Sequence, residues 1–106
     1  MTDRSLRGRV AIVGIGETTY YKHSQSPDAE FKLALKAVLA ASEDAGLDPR
    51  DIDGFASYSN DRSEPSRMSA ALGAKQLRST TMQWGGGGGG NCGAVANGAA
   101  AIAAGL

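Results

Sequence analysis

The stretch Leu77-Arg-Ser-Thr-Thr-Met-Gln-Trp84 runs straight into six glycines at 85–90 and then Asn91-Cys92. Thr80, Met82 and Trp84 alternate onto one side, which is the period of a strand. From about Cys92 to Ala104 the chain turns to alanine and other small residues, a helix stopped by Gly105. A strand, a glycine turn and a helix in succession form the unit from which open α/β sheets are built. Six glycines would ordinarily read as a flexible linker. Here they join a strand to a helix that packs on the same sheet, a poor place for one. Each glycine costs up to ~1 kcal/mol more than alanine to order in a helix. Keeping six makes sense if the backbone needs unusual dihedrals or must admit a ligand closely.

The helix that follows has no charge. Every Lys, Arg, Asp and Glu lies between Asp3 and Arg78, and residues 79–106 carry none. A helix without a charged face has no side suited to water. The composition fits either a low-complexity, disordered tail or a helix packed closely on all sides. A chain of 106 residues has too few other elements to surround such a helix. The segment therefore reads as part of something larger.

Working back from this unit, Arg9-Val-Ala-Ile-Val-Gly-Ile-Gly16 is a continuous, β-branched apolar run ending in glycines. It predicts a parallel strand buried on both faces. Thr18 to Ser24 reads as extended or irregular. Ser26-Pro27-Asp28 predicts a helix start, with Ser26 as N-cap and Pro27 at the first helical position. Phe31, Leu35, Val38, Ser42 and Ala45 keep helical spacing, and Gly46 fits the left-handed position that ends the helix, with Pro49 preventing continuation. Asp53 to Ser59 predicts a second strand, and Asn60 to Pro65 a polar loop. Ser66 caps a short helix from about Arg67 to Leu72, ended by Gly73. The order is β-α-β-α-β-α, so the fold class is α/β with a mostly parallel sheet. In such sheets ligands bind beyond the carboxyl ends of the strands, where the glycine run lies.

Composition narrows the function. The chain is one domain at most, 42% hydrophobic and 21% charged, as globular proteins are. Eleven basic and eleven acidic residues cancel, so no electrostatic footprint points to nucleic acid or an anionic membrane. No signal peptide follows Met1 and no apolar run is long enough to span a bilayer, which points to the cytoplasm. A single cysteine excludes an internal disulfide and a cysteine metal cluster.

Gly14-Ile15-Gly16 invites a dinucleotide-binding reading, but Thr19 stands where the third glycine belongs and the next helix cap comes ten residues after Gly16. That reading is rejected. The glycine run lacks a following Lys-Ser/Thr, so it is not a phosphate-binding P-loop. Cys92 stands at or just before a helix N-terminus, where the dipole favours a thiolate nucleophile. Lone cysteines more often serve as small buried hydrophobes. His23, the only histidine, lies in a polar stretch that nothing in the sequence places beside Cys92. The acidic residues Glu43, Asp44, Asp48, Asp51 and Asp53 surround a helix end and a turn and read as solvated, with no metal spacing.

Taken together, the chain resembles the thiolase superfamily. The likeness rests on Val10-Ala-Ile-Val-Gly-Ile-Gly-Glu-Thr-Thr19, Ala40-Ala-Ser-Glu-Asp-Ala-Gly-Leu47, Asp51-Ile-Asp-Gly54, the strand into Trp84-Gly-Gly, and Ala99-Ala-Ala-Ile-Ala-Ala-Gly105. It is nearest to the branch of thiolase-like lipid-transfer proteins that includes aldolases shortening steroid side chains as CoA thioesters. The resemblance implies that residues 1–106 are the N-terminal part of a thiolase-like domain, well under half of the fold. Thiolases carry a nucleophilic cysteine at the start of the third helix. Counting back from Gly105 with the family spacing, that position falls on Gly88, and Cys92 reaches it only through a four-residue deletion.

The implied activity is retro-aldol cleavage of a β-hydroxyacyl-CoA, with Gly88, Gly89 and Gly90 as the floor of the acyl-CoA site. The base and enolate-stabilising groups would come from later in the fold, so this segment alone is expected to be inert. The family further implies a CoA thioester as substrate with no bound cofactor or metal. It also implies an OB-fold acyl-CoA-associated partner and a homodimeric or heteromeric assembly. Two alternatives stand beside it: an acetyl-CoA acetyltransferase using Cys92, and a non-catalytic assembly module.

Overall fold

The structure, a computed structural model, describes residues 6–58, 63–84 and 89–106. They form two compact units. One gathers residues 13–53 and 63–77; the other gathers 6–12, 54–58, 78–84 and 89–106.

The first unit is helical. Helix α1 spans Glu30–Ala45, and its apolar spacing turns Phe31, Leu35, Val38 and Ser42 inward from exposed Lys32, Lys36 and Glu43. Ser42 is buried there because its hydroxyl donates to the Val38 carbonyl at 2.9 Å. Gly46 ends the helix in the left-handed region, φ 71°, and the Leu47 N–H closes back onto Ser42 O at 2.9 Å. The expected C-terminus is borne out.

The expected N-terminus is not. Helix α1 starts at Glu30 with Ala29 as an N-cap that offers no side-chain acceptor. The Ser26 hydroxyl is engaged earlier, accepting from Asp28 N–H at 3.2 Å and donating to Asp28 O at 2.9 Å. That local turn competes with helical geometry and delays the helix. The Asp28 carboxylate then pairs with Lys32 at 3.3 Å and with Lys36.

A short 3-10 turn, Pro49–Asp51, follows, capped by the Asp48 carboxylate accepting from Arg50 N–H at 2.9 Å. Helix α2 spans Pro65–Leu72 and ends on left-handed Gly73, φ 70°, as the sequence predicts. Its cap is Glu64 rather than Ser66: the Glu64 carboxylate accepts from Ser66 N–H at 3.1 Å and from Arg67 N–H at 3.2 Å, and the Ser66 hydroxyl also donates to it. A carboxylate one residue before the helix reaches both free N–H groups, which a hydroxyl inside the first turn does not. Met68 and Leu72 supply the buried apolar contacts, and the Arg67 guanidinium lies 4.2 Å from the centre of the Phe31 ring.

The run Arg9–Gly16 departs furthest from expectation. It enters no strand ladder among the described residues, and Ile12, Val13 and Ile15 are 79%, 64% and 76% exposed. A strand is defined by a hydrogen-bonded neighbour, and this run does not pair with β1 or β2. Its glycines serve α1 instead. A Cβ at Gly16 would strike the backbone of Ala37–Ala41, and one at Gly14 would lie 2.8 Å from Ala45 Cβ. The Ile15 N–H donates to Asp44 at 3.0 Å.

The second unit carries the sheet. Strands β1, Gly54–Tyr58, and β2, Ser79–Gln83, pair in parallel with Gly54 opposite Ser79 and Tyr58 opposite Gln83. Helix α3, Gly90–Ala103, packs over the face that presents Ala56, Tyr58 and Gln83. The chain thus has the expected α/β character, with two paired strands among the described residues where three were expected. The carbonyls ending α3 accept from arginines: Arg9 donates to Ala103 O at 3.4 Å and Arg78 to Gly105 O at 3.4 Å. Cations are favourable at that negative end of the helix. Among the described residues no helix is long and apolar enough to cross a membrane.

Candidate functional site

The sheet unit brings the carboxyl ends of both strands to the N-terminus of α3. Tyr58 is the last residue of β1 and Gln83 the last of β2. Small residues let α3 approach them. Gly93 lies against Gln83, where a Cβ would stand 2.9 Å from the amide carbon; Gly98 faces Ala56; and Gly90 lies under the Tyr58 ring, leaving no room for a side chain. Gln83 also accepts from the Asn97 amide at 3.4 Å. Gly90 and Ala94 are buried along this contact, so the absence of side chains here is used for packing.

Gly89 differs from Gly90. It is the N-cap of α3 with no side chain to accept from the helix, and nothing lies within 4 Å of where its Cβ would point. The first N–H groups of α3 therefore receive no acceptor from their cap, and such groups favour a carbonyl or anionic oxygen. Gly88 falls outside the described residues.

Cys92 is the third residue of α3 and exposed, rather than at or before its start. The helix takes in Gly90 and Asn91 because packing under Tyr58 orders a glycine that propensity alone would leave out. His23 is exposed on the segment preceding α1 and belongs to the other unit.

A groove of about 830 Å³ runs along α3, from Tyr58 and Asn91 at its N-terminal end to Ile102, with Val10–Ile12 as the facing wall. Ala94, Val95 and Gly98 also line it. Its size is in the range of small-molecule sites, which are mostly apolar with a few polar groups to fix orientation. This one is apolar along its length and polar at the helix N-terminus.

Three of the acidic residues around the end of α1 have structural partners. Asp44 accepts from Ile15 N–H, Asp51 pairs with Lys75 at 2.7 Å, and Asp48 takes a forked contact from Arg50, 2.7 Å at its shortest. The Arg50 side chain, then its backbone N–H, hold the Asp48 pKa down to about 2. Among the described residues no group of three or more His, Cys, Asp or Glu is arranged to hold a metal ion.

Sequence reasoning missed Tyr58 and Asn91. The signal was available, because Tyr58 ends a parallel strand and ligands in open sheets lie beyond such ends.

No protein-family model matches the chain. Two curated proteins are similar to it. A steroid side-chain-cleaving aldolase of Thermomonospora curvata is 41% identical over 102 residues, 95% of this chain and 25% of the relative. A 17-hydroxy-3-oxo-4-pregnene-20-carboxyl-CoA lyase of Mycobacterium tuberculosis is 39% identical over the same shares. The chain thus spans about a quarter of the length of the curated relatives it matches. A solved structure, the Ltp2-ChsH2(DUF35) aldolase, matches with a TM-score of 0.80 at 40% identity, covering 90% of this chain and 24% of that one.

Proposed function

We propose that residues 1–106 are the N-terminal part of a thiolase-like carbon–carbon lyase that cleaves a β-hydroxyacyl-CoA of the steroid side-chain type. The observation carrying this reading is the 41% and 39% identity, across 95% of the chain, to two proteins named for steroid side-chain and CoA-ester cleavage. The site's chemistry agrees. Retro-aldol cleavage needs a base for the β-hydroxyl proton and hydrogen-bond donors for the thioester enolate that leaves as the carbon–carbon bond breaks. It needs no acyl-enzyme. An uncapped α3 N-terminus beside Gly89 offers donors to a thioester oxygen. Gly88 and Gly89 form the floor on which the thioester lies, Gly90 is packed beneath Tyr58 rather than open to it, and the base comes from chain beyond these residues.

The substrate is a CoA thioester, with no bound cofactor or metal required. The partner is an OB-fold, acyl-CoA-associated protein, in keeping with the two components joined in the name of the solved relative. The complete protein is homodimeric or heteromeric, and the 106-residue segment alone is inert.

An acetyl-CoA acetyltransferase using Cys92 is the competing reading, since the thiol is exposed in the first turn of α3. Intact-mass measurement of the full-length protein incubated with a β-hydroxyacyl-CoA separates the two. Consumption of the ester by an unmodified protein supports the lyase. An acyl adduct mapping to Cys92 replaces it with the transferase. Turnover by the isolated 106-residue chain would contradict the assignment of the base to another segment.

A further inference from the structure

Tyr58 and Gly90 occupy one another's space. Tyr58 closes β1, and its ring stands where a Gly90 side chain would be: a Cβ there would overlap the ring edge and lie 2.8 Å from Cζ. Gly90 is buried and is the first residue of α3. The distance between the helix start and the strand end is therefore fixed from both sides. A larger residue at 90 must push the ring or the helix away, and a smaller one at 58 leaves a void for the first turn to settle into. Whatever displaces Gly90 also displaces the N–H groups of the first turn of α3, because they belong to one rigid turn.

We propose that Tyr58 is a positioning residue, its ring setting the height of the first turn of α3, and with it the donors presented to the thioester. This rests on the lyase reading above. The ring acts through the helix and takes no proton in the reaction, so the hydroxyl is dispensable and the ring is not. Catalytic donors misplaced by about an ångström lose roughly tenfold to a hundredfold in rate.

The test compares Tyr58→Phe, Tyr58→Ala, Gly90→Ala and the Tyr58→Ala/Gly90→Ala double variant in the full-length protein. Cleavage of 17-hydroxy-3-oxo-4-pregnene-20-carboxyl-CoA and thermal unfolding are both measured. Tyr58→Ala and Gly90→Ala should each lose roughly tenfold or more in kcat, with KM changing less, and Tyr58→Phe should lose far less than Tyr58→Ala. The double variant should be no worse than Gly90→Ala alone, because both changes act on one contact. An active wild type whose kcat survives Gly90→Ala while its Tm falls overturns the proposal and leaves the contact as packing only. Strictly additive losses overturn it too, as does a Tyr58→Phe loss equal to that of Tyr58→Ala. A wild type that cleaves no such ester overturns the lyase reading, and this proposal with it. Tyr58→Phe retains the packing volume, so the comparison survives if Tyr58→Ala fails to fold.

Discussion

Gly14 lies directly against Ala45, so close that a Cβ added at Gly14 would stand 2.8 Å from the Ala45 methyl and 2.9 Å from its backbone nitrogen. The glycine belongs to an apolar run with strand composition, yet its role is to let that run rest on the small-residue stripe of α1. Replacing it by valine should destabilise the full-length protein by roughly 1–3 kcal/mol through overpacking. Urea unfolding should show a lower midpoint at unchanged m. Gly89→Ala is the control, since nothing lies within 4 Å of that position and its φ is −79°. An equal loss for both variants would contradict the packing account.

The Asp48 carboxyl, held down to about 2 chiefly by the Arg50 side chain, should titrate in the folded protein well below the usual aspartate value near 3.9. Its folded pKa is depressed, so the stabilisation it provides is present above the unfolded pKa and disappears as pH falls through about 2. NMR titration of the side-chain carboxyl carbon should give that midpoint. It should move toward the ordinary value in Arg50→Ala, and partly so in high salt because the pair is exposed.

Glu64→Ala should fray the start of α2, since the carboxylate serves both Ser66 and Arg67 N–H groups. Hydrogen exchange at those two amides should rise while the amides of α1 are unaffected. The Ser66 side-chain hydrogen bond is the largest cause of the lowered Glu64 pKa. The cap is therefore at full strength above the ordinary glutamate range and weakens as pH falls below it. Ser66→Ala should cost less than Glu64→Ala, which a Ser66 cap would reverse.

Val95 and Ile102 are 61% and 59% exposed on the groove side of a helix that carries no charge. The isolated 106-residue chain should bind a hydrophobic dye and self-associate. Lysine at both positions should suppress this in the isolated chain. In the full-length protein the same double change should lower the Tm, because the proposed fold covers that surface. A full-length protein indifferent to it would leave the groove solvated.

The helical stops were legible because glycine in the left-handed region has one clear physical use, and Gly46 and Gly73 both fill it. The parallel pairing of β1 with β2 and the uncharged α3 could be read from alternation and composition. The start of α1 could not, since Ser26 suits a turn as well as a cap and only the bond to Asp28 decides between them. The run at 9–16 misled because composition marks a segment able to enter a sheet but not the neighbour that would pair with it, and Ile12, Val13 and Ile15 stay exposed while the glycines meet α1. At the site, the glycines were visible as a feature, but their division of labour was not. Gly90 is small to admit Tyr58, while Gly89 leaves open space. That difference depends on a partner 32 residues earlier, beyond the reach of local pattern.

The hydrogen bond from Arg9 to the Ala103 carbonyl spans 94 positions of sequence. The sheet unit is assembled from the beginning, middle and end of the segment, with the helical unit inserted between its pieces. On a ribosome, the helical unit is therefore complete once Leu77 has been added, while β1 must wait for β2 and α3. Loop closure of that length makes such contacts slow to form. Until the glycine run and α3 leave the exit tunnel, Tyr58 lacks the helix start it packs against. A chaperone that engages this protein during synthesis has its natural target there, in the interval between the fifty-eighth residue and the hundred-and-third.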